Sequence, residues 1–328
     1  MRFCKLLLAG LLLFLAVQVP AGRAQESLLA AAGKAYEGAN YAEAIRILNA
    51  AAAKESNDAE IQLLLTKAYL GAEEYNAAVK SGEKAVALNP NSSESHNLLG
   101  KAYGEKADHS SFISAYPLAR KTRKEFEIAV RLDEHNFNAA QNLVEFDCTA
   151  PSIAGGGEEK AQPLIKKLLT LDASEGHFAA GNCRRQKKDF ATADSEMLNA
   201  IQSHPKSLDI LDEIATYFAN RGMADRVLAA ADAAEVASPA DARGPYFRAV
   251  GWVMQGGNLP QAEKILQNYI HTVHPRPSWP GPWSAHYWLG QLYEKQTRFE
   301  AARGEYEAAL TLNAKYKKAQ DALKHLGK

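Results

Sequence analysis

Along residues 63–90, LLLTKAYLGAEEYNAAVKSGEKAVALNP, large apolar residues recur at intervals of three and four with small residues between them. Leu65 is followed at once by Thr66 and four residues on by Tyr69; an aromatic comes at Tyr75, then Ala78, then Ala85 seven further, and Pro90 closes the stretch. The same order returns in YWLGQLYEKQTRFEAARGEYEAALTLNA, residues 287–314, through Leu289, Gly290, Tyr293, Phe299, Ala302, Tyr306 and Ala309. Spacings of three and four place these residues on one face of a helix, so each stretch predicts two amphipathic helices joined by a short turn. The interval between copies is constant: Tyr69 to Tyr103, Gly181 to Ala215 and Pro205 to Pro239 are each 34 residues apart.

A 34-residue helix–turn–helix with this order resembles the tetratricopeptide repeat. That pattern places a large residue at position 4, Leu at 7, Gly or Ala at 8, Tyr at 11, Ala at 20, an aromatic at 24, Ala at 27 and Pro at 32. The fifth copy supplies Gly181, Phe190, Ala193, Ala200 and Pro205; the sixth supplies Ile214, Ala215, Phe218, Ala234 and Pro239, with Val227 at position 20. The first copy is one residue short, and the fourth and seventh are degenerate. Small residues at 8, 20 and 27 let the paired helices approach, and the large ones fill the space around the contact. One pair cannot bury its apolar face alone, so the units are expected to stack. The resemblance implies an all-α, right-handed solenoid of eight units, at about 26–58, 59–92, 93–136, 137–173, 174–206, 207–241, 242–276 and 283–316. A capping helix over 315–327 presents Ala319, Leu323 and Leu326 to the stack and lysines to solvent.

Three irregular pieces interrupt the pattern. The third unit carries ten extra residues around HSSFISAY, read as a loop or short helix before a second helix over about 117–132, with Pro117 in its first turn. Phe112, Ile113 and Tyr116 are too apolar for a free loop and are expected to pack on the rim of the stack. The fourth unit carries APSIAGGGEEKA at the equivalent turn. Its GGGEEK lacks the G-x-x-x-x-G-K-[ST] spacing of a phosphate loop, and Glu158 and Glu159 in the next first turn repel an anion. The third piece, HTVHPRPSWPGPW over 271–283, is an extended proline-rich segment. Its Trp279 and Trp283 are expected to fold back on the groove or to mark a contact patch.

The chain ends and the charge add a location. MRFCKLLLAGLLLFLAVQVPAGRA has Arg2 and Lys5, an apolar run over Leu6–Val17 and small residues after it. That is the layout of a signal peptide, residues 1–24, cut after Ala24; the run is too short for the roughly 20 residues of a bilayer span. The full chain has 38 basic and 38 acidic residues, and 35 against 38 without Arg2, Lys5 and Arg23. Nucleic acid is therefore not the expected partner, and no later segment is apolar enough to span a membrane. The Ala-rich signal and the absence of a cysteine framework point to the bacterial periplasm or to secretion. Cys148 and Cys183 remain after cleavage, on first helices of adjacent units; a bridge and two buried thiols are both open readings.

Candidate ligand residues follow from the resemblance. Positions 2, 5, 9 and 12 of each first helix face the groove. Position 9 is Lys34, Lys67 and Lys101 in the first three units; Asn97 and Gln141 stand at position 5, with Asn142 and Asn182 nearby. The chemistry resembles the Lys/Asn clamps with which some family members hold a peptide carboxylate, although the clamp's Asn is missing from position 9 of the first unit. Toward the C-terminus the same face is aromatic, with Phe178, Phe247 and Tyr287. His271, His274 and His286 have no Cys or carboxylate at supporting spacing, so neither a metal nor a cofactor is expected. The function implied is a non-enzymatic scaffold for a protein or peptide, the alternative being a structural subunit of an envelope assembly that uses the inserts and the Trp loop.

Overall fold

The computed structural model describes residues 21–55 and 57–327, so all but the last four residues of the signal-peptide expectation lie outside it. Among the described residues there are seventeen α-helices and no strand. They run as pairs: α1 Ala21–Glu37 with α2 Tyr41–Lys54, α3 Ala59–Gly71 with α4 Tyr75–Leu88, α5 Ser93–Asp108 with α6 Phe112–Leu132, and α7 Phe137–Thr149 with α8 Glu158–Leu171. There follow α9 Ala173–Gln186 with α10 Phe190–Gln202, α11 Leu208–Asn220 with α12 Ala224–Ala237, α13 Arg243–Gln255 with α14 Leu259–Thr272, α15 Pro282–Lys295 with α16 Phe299–Leu312, and α17 Lys317–Leu326 as the cap.

Local chemistry sets the boundaries. Asn40, Asp58, Ser92, Asn136, Asp172, Asp189 and Ser207 each precede a helix and accept a hydrogen bond from an amide of its first turn. The turn within a unit is tight. It places one residue in the left-handed region at Ala39, Glu73, Lys188, Gly222 and Thr297, and two, Gly256 and Asn258, in the turn between α13 and α14. No such residue occurs within α5–α6 or at the start of α7, where the third insert has replaced the tight turn.

The small positions are explained by close approach. A Cβ on Gly100 would stand 2.6 Å from the Phe126 ring, one on Gly290 2.3 Å from Tyr306, and one on Gly181 3.0 Å from Met197. Ala78, Ala85, Ala302 and Ala309 are fully buried at the matching positions of the second helices. A continuous apolar core runs from Phe178 in α9 to Ala322 in α17, and Ala319 and Ala322 seal its end. Leu323 and Leu326 pack against its edge.

The third insert differs from its expectation. Instead of a loop or separate short helix before residue 117, α5 runs to Asp108 and α6 starts at Phe112, so the hairpin is lengthened and Pro117 lies inside a 21-residue helix. Pro117 removes only one hydrogen bond, to Ile113, and lies near a helix start whose first amides have no helical partner anyway. Phe112 and Ile113 do not pack on the rim. They sit at the tip of the lengthened hairpin, 83% and 85% exposed, because extending both helices carries the tip beyond its neighbours. The fourth insert forms one 3-10 turn at Ser152–Ala154 and two glycines of positive φ, Gly155 and Gly157. It is pinned by the Gly157 amide on the Asp147 carbonyl at 2.7 Å and by buried Ala154, with Glu158 and Glu159 opening α8.

Candidate functional site

Stacking aligns the first helices of the units and leaves a cavity of about 830 Å³ on their shared side. Its lining comes from α3, α5, α7, α9, α11, α13 and α15, from the Trp loop and from the cap, and no second helix contributes. The groove-facing positions read from the sequence thus converge: Lys67, Lys101, Asn97, Gln141, Asn182, Phe178 and Phe247 all line it. Trp279 and Trp283 line it too, so the Trp loop folds back on the groove. Lys34 and Tyr287 do not. Lys34 is exposed on α1, and Tyr287 packs its ring on Trp288, Tyr306 and Tyr316.

One end of the groove is a ladder of amides. Asn142 Nδ2 donates to Asn97 Oδ1 at 2.8 Å, and Gln141 Nε2 donates to the Glu175 carbonyl at 2.9 Å and to its carboxylate at 3.1 Å. Asn182 Oδ1 is buried and has no protein partner. The lysines at this end are not a matched set. Lys67 is paired with Glu94, whereas Lys101 is exposed.

The middle is acidic. Asp209, Asp212 and Glu213 on α11 face Glu145 of α7 and Glu175 of α9. Burial raises the Glu175 carboxyl above its ordinary range, against the pull of its Gln141 hydrogen bond. Desolvation between the groove walls also raises Glu213, although its side chain reaches solvent, and outweighs Arg185 and Lys101. Asp212 is pushed up to about 7, mainly by burial; Arg243 opposes, while Asp209, Glu213 and Asp241 add to the rise. Its Oδ1 is out of solvent and has no hydrogen-bond donor, the situation in which a carboxylate is costly.

The far end is aromatic and held rigidly. Arg243 is buried, donates to Asp209 at 2.7 Å and to Asp241 at 3.0 Å, and stacks its guanidinium 4.7 Å from the Trp279 ring centre. Arg276 also stands 4.7 Å from that ring. Tyr269 donates to the Pro280 carbonyl at 2.8 Å, which ties the loop to α14. The loop is therefore a fixed wall, with Trp283 beside Phe247, Tyr246 and Trp288. Tyr246 and Ser284 share a hydrogen bond of 2.7 Å at the floor. Lys318 of the cap reaches back to Asn220 of α11, donating at 2.6 Å, and desolvation in the concavity holds its ammonium below the ordinary lysine range.

Two further sequence expectations have places. Cys148 and Cys183 are bridged, with Cα atoms 5.5 Å apart, joining α7 to α9 inside an apolar cluster. His286 is bonded to Glu305 at 2.7 Å, while His271 and His274 are exposed. Among the described residues no three His, Cys, Asp or Glu side chains gather as metal ligands, and no helix is long and apolar enough to cross a membrane. A second hollow of about 810 Å³ lies behind the inserts, between Tyr116, Phe146 and Ile153.

The residues missed from the sequence include Glu145, Glu175, Asp209, Asp212, Glu213, Asn220 and Lys318. A signal was present for several of them: Glu145 stands at position 9 of the fourth unit and Glu175 at position 2 of the fifth. With Ala215 at position 8, Asp209 and Asp212 stand at positions 2 and 5 of the sixth unit, the positions that face inward in the other units.

Comparison with known proteins agrees with this architecture. Two tetratricopeptide-repeat models match, one at residues 29–103 and one at 253–322. No curated protein matches the chain. Among solved structures, the human IFIT1 dimer with m7Gppp-AAAA is 18% identical, with 90% of this chain and 71% of that one covered and a TM-score of 0.50. A thermophilic TPR protein in Thermus thermophilus is 18% identical over 58% of this chain and 97% of its own, TM-score 0.48. A tetratricopeptide repeat protein from Parabacteroides merdae is 12% identical over 94% and 100%, TM-score 0.43. With the repeat, the helix pairs and both family matches in agreement, this chain belongs to the tetratricopeptide-repeat family, a repeat scaffold for protein interaction.

Proposed function

We propose that the chain is a non-enzymatic scaffold that holds a protein or peptide segment in its concave groove, and that it does so after export to the bacterial envelope. The observation that carries the reading is the continuous cavity lined from α3 to α17 by first helices, with unsatisfied polar atoms at Asn182 and Asp212. An extended segment offers backbone donors and acceptors along its length, which suits an amide ladder beside a rigid aromatic wall. Export is supported by the apolar N-terminal run and by the Cys148–Cys183 bridge, since bridges persist in oxidising compartments. N-terminal sequencing of the protein from an envelope fraction tests it; a mature end at Gln25 is expected, and a retained Met1 in the cytosol overturns it.

A second reading, a subunit of an envelope assembly, is favoured by one observation: Phe112 and Ile113 stand exposed at the hairpin tip. Capture from envelope extract separates the two. The wild type is compared with Phe247→Ala/Asn142→Ala in the groove and Phe112→Ser/Ile113→Ser at the tip. Loss of the captured protein only with the groove variant is expected. Loss only with the tip variant overturns the groove reading in favour of the assembly.

A further inference from the structure

The groove's charge runs opposite to the one its three position-9 lysines suggest. Of those lysines, Lys34 lies outside the cavity and Lys67 is neutralised by Glu94. Against Lys101 and Lys318 stand Glu145, Glu175, Asp209, Asp212 and Glu213, and of these only Asp209 has an Arg ion pair, to Arg243. The carboxylates without an ion pair line the middle of the groove, Glu175 buried and Glu145 and Glu213 open to solvent, and Asp212 keeps an oxygen that is buried and undonated. A buried acceptor of this kind gains most from a ligand that brings its own N–H donors and a positive charge. Immediately beyond lies the aromatic wall of Phe247, Trp283 and Trp288. The remaining loop tryptophan, Trp279, already has the guanidiniums of Arg243 and Arg276 on its ring, so that ring buttresses the wall.

Resting on the groove reading above, we propose that the occupant is an extended peptide segment carrying lysine or arginine beside a large apolar side chain. The cation lies on Asp212 and Glu213, the apolar group against Phe247 and Trp283, and the backbone along Asn97, Gln141, Asn142 and Asn182. Charge complementarity commits the choice: an acidic segment would meet Glu145, Glu175, Asp212 and Glu213, four carboxyl groups without an ion pair, and a purely apolar one would leave Asp212 undonated. The raised carboxyl of Asp212 is consistent with this, because an arriving cation favours its ionised form and relieves the cost of burying it alone.

The test uses the full mature chain and three short synthetic peptides, acetylated and amidated, in a glycine–serine background. One alternates lysine with phenylalanine, a second has glutamate for lysine, and a third has serine for phenylalanine. Isothermal titration is expected to give binding of the first, with each substitution weakening it by about tenfold or more, the effect of one good contact. Asp212→Asn/Glu213→Gln is expected to erase the preference for lysine over glutamate while its circular dichroism stays that of the wild type, and Trp283→Ala to erase the preference for phenylalanine. The peptide comparison stands whether or not a variant folds. Equal or tighter binding of the glutamate peptide, lost on Lys101→Glu, overturns the charge assignment and leaves the groove reading intact. Binding of no peptide overturns the peptide assignment, and a captured protein that depends on Phe112 and Ile113 overturns the groove reading with it.

Discussion

Reducing the Cys148–Cys183 bridge removes a cross-link while leaving every side chain in place. The bridge closes 35 residues of chain, comprising the end of α7, the glycine turn, all of α8 and most of α9. In the chain-entropy treatment a loop of that length contributes about 4 kcal/mol. Hydrophobic burial is not lost on reduction, since both sulfurs stay among Ala140, Val144, Ile165 and Leu168 and a free thiol behaves as a small apolar group. In a solenoid each unit touches only its neighbours, so the loss is local. It falls on α8, the helix enclosed by the bridge, and about 4 kcal/mol corresponds to roughly a thousandfold in its opening equilibrium. Hydrogen exchange with mass spectrometry, with and without a phosphine reductant, reads this directly. Protection of Glu158–Leu171 should fall by roughly two to three orders of magnitude, while α16, four units away, is unchanged. Protection of α8 that survives reduction, or a loss spread equally to α16, would refute the argument that the bridge acts by closing that loop.

Other outcomes follow from the same geometry. Gly290→Ala sets a Cβ 2.3 Å from the Tyr306 ring, and should lower the urea midpoint by an amount equivalent to about 1–3 kcal/mol. Phe112→Ser/Ile113→Ser changes side chains that are almost fully exposed, so stability measured by urea unfolding should move by less than about 0.5 kcal/mol per site. Asp212 is protonated more readily in the folded chain, at about 7, than in the unfolded one, at about 3.9. Its contribution to stability is thus fully present below about pH 4 and lost as pH rises through about 7. Asp212→Asn should match the wild type in urea at pH 4 and exceed it at pH 8, and an equal difference at both would remove burial as the cause.

The chain's local pattern determined a large part of this protein. The alternation of small and large residues is itself the description of one helix resting on the next, as at Gly100 against Phe126 and Gly290 against Tyr306, so the period, the pairing and the cap were all readable. The inward positions of the first helices were readable by the same rule, which found Lys67, Lys101, Asn97 and Gln141 and, applied to the sixth unit, also points to Asp209 and Asp212. The course of the inserts was not. Pro117 marks a helix start in isolation, yet α6 continues back to Phe112, so that the proline stands in its second turn at the cost of the hydrogen bond to Ile113. The tertiary structure alone decided which inward residues meet. Asn220 and Lys318 are 98 positions apart and share a hydrogen bond, and Arg243 and Arg276 close on Trp279 from different elements. A repeat specifies each contact with its neighbour, whereas the curvature that brings distant units face to face accumulates from the packing of every pair. That sum turned a row of separate polar positions into one acidic groove with an aromatic wall.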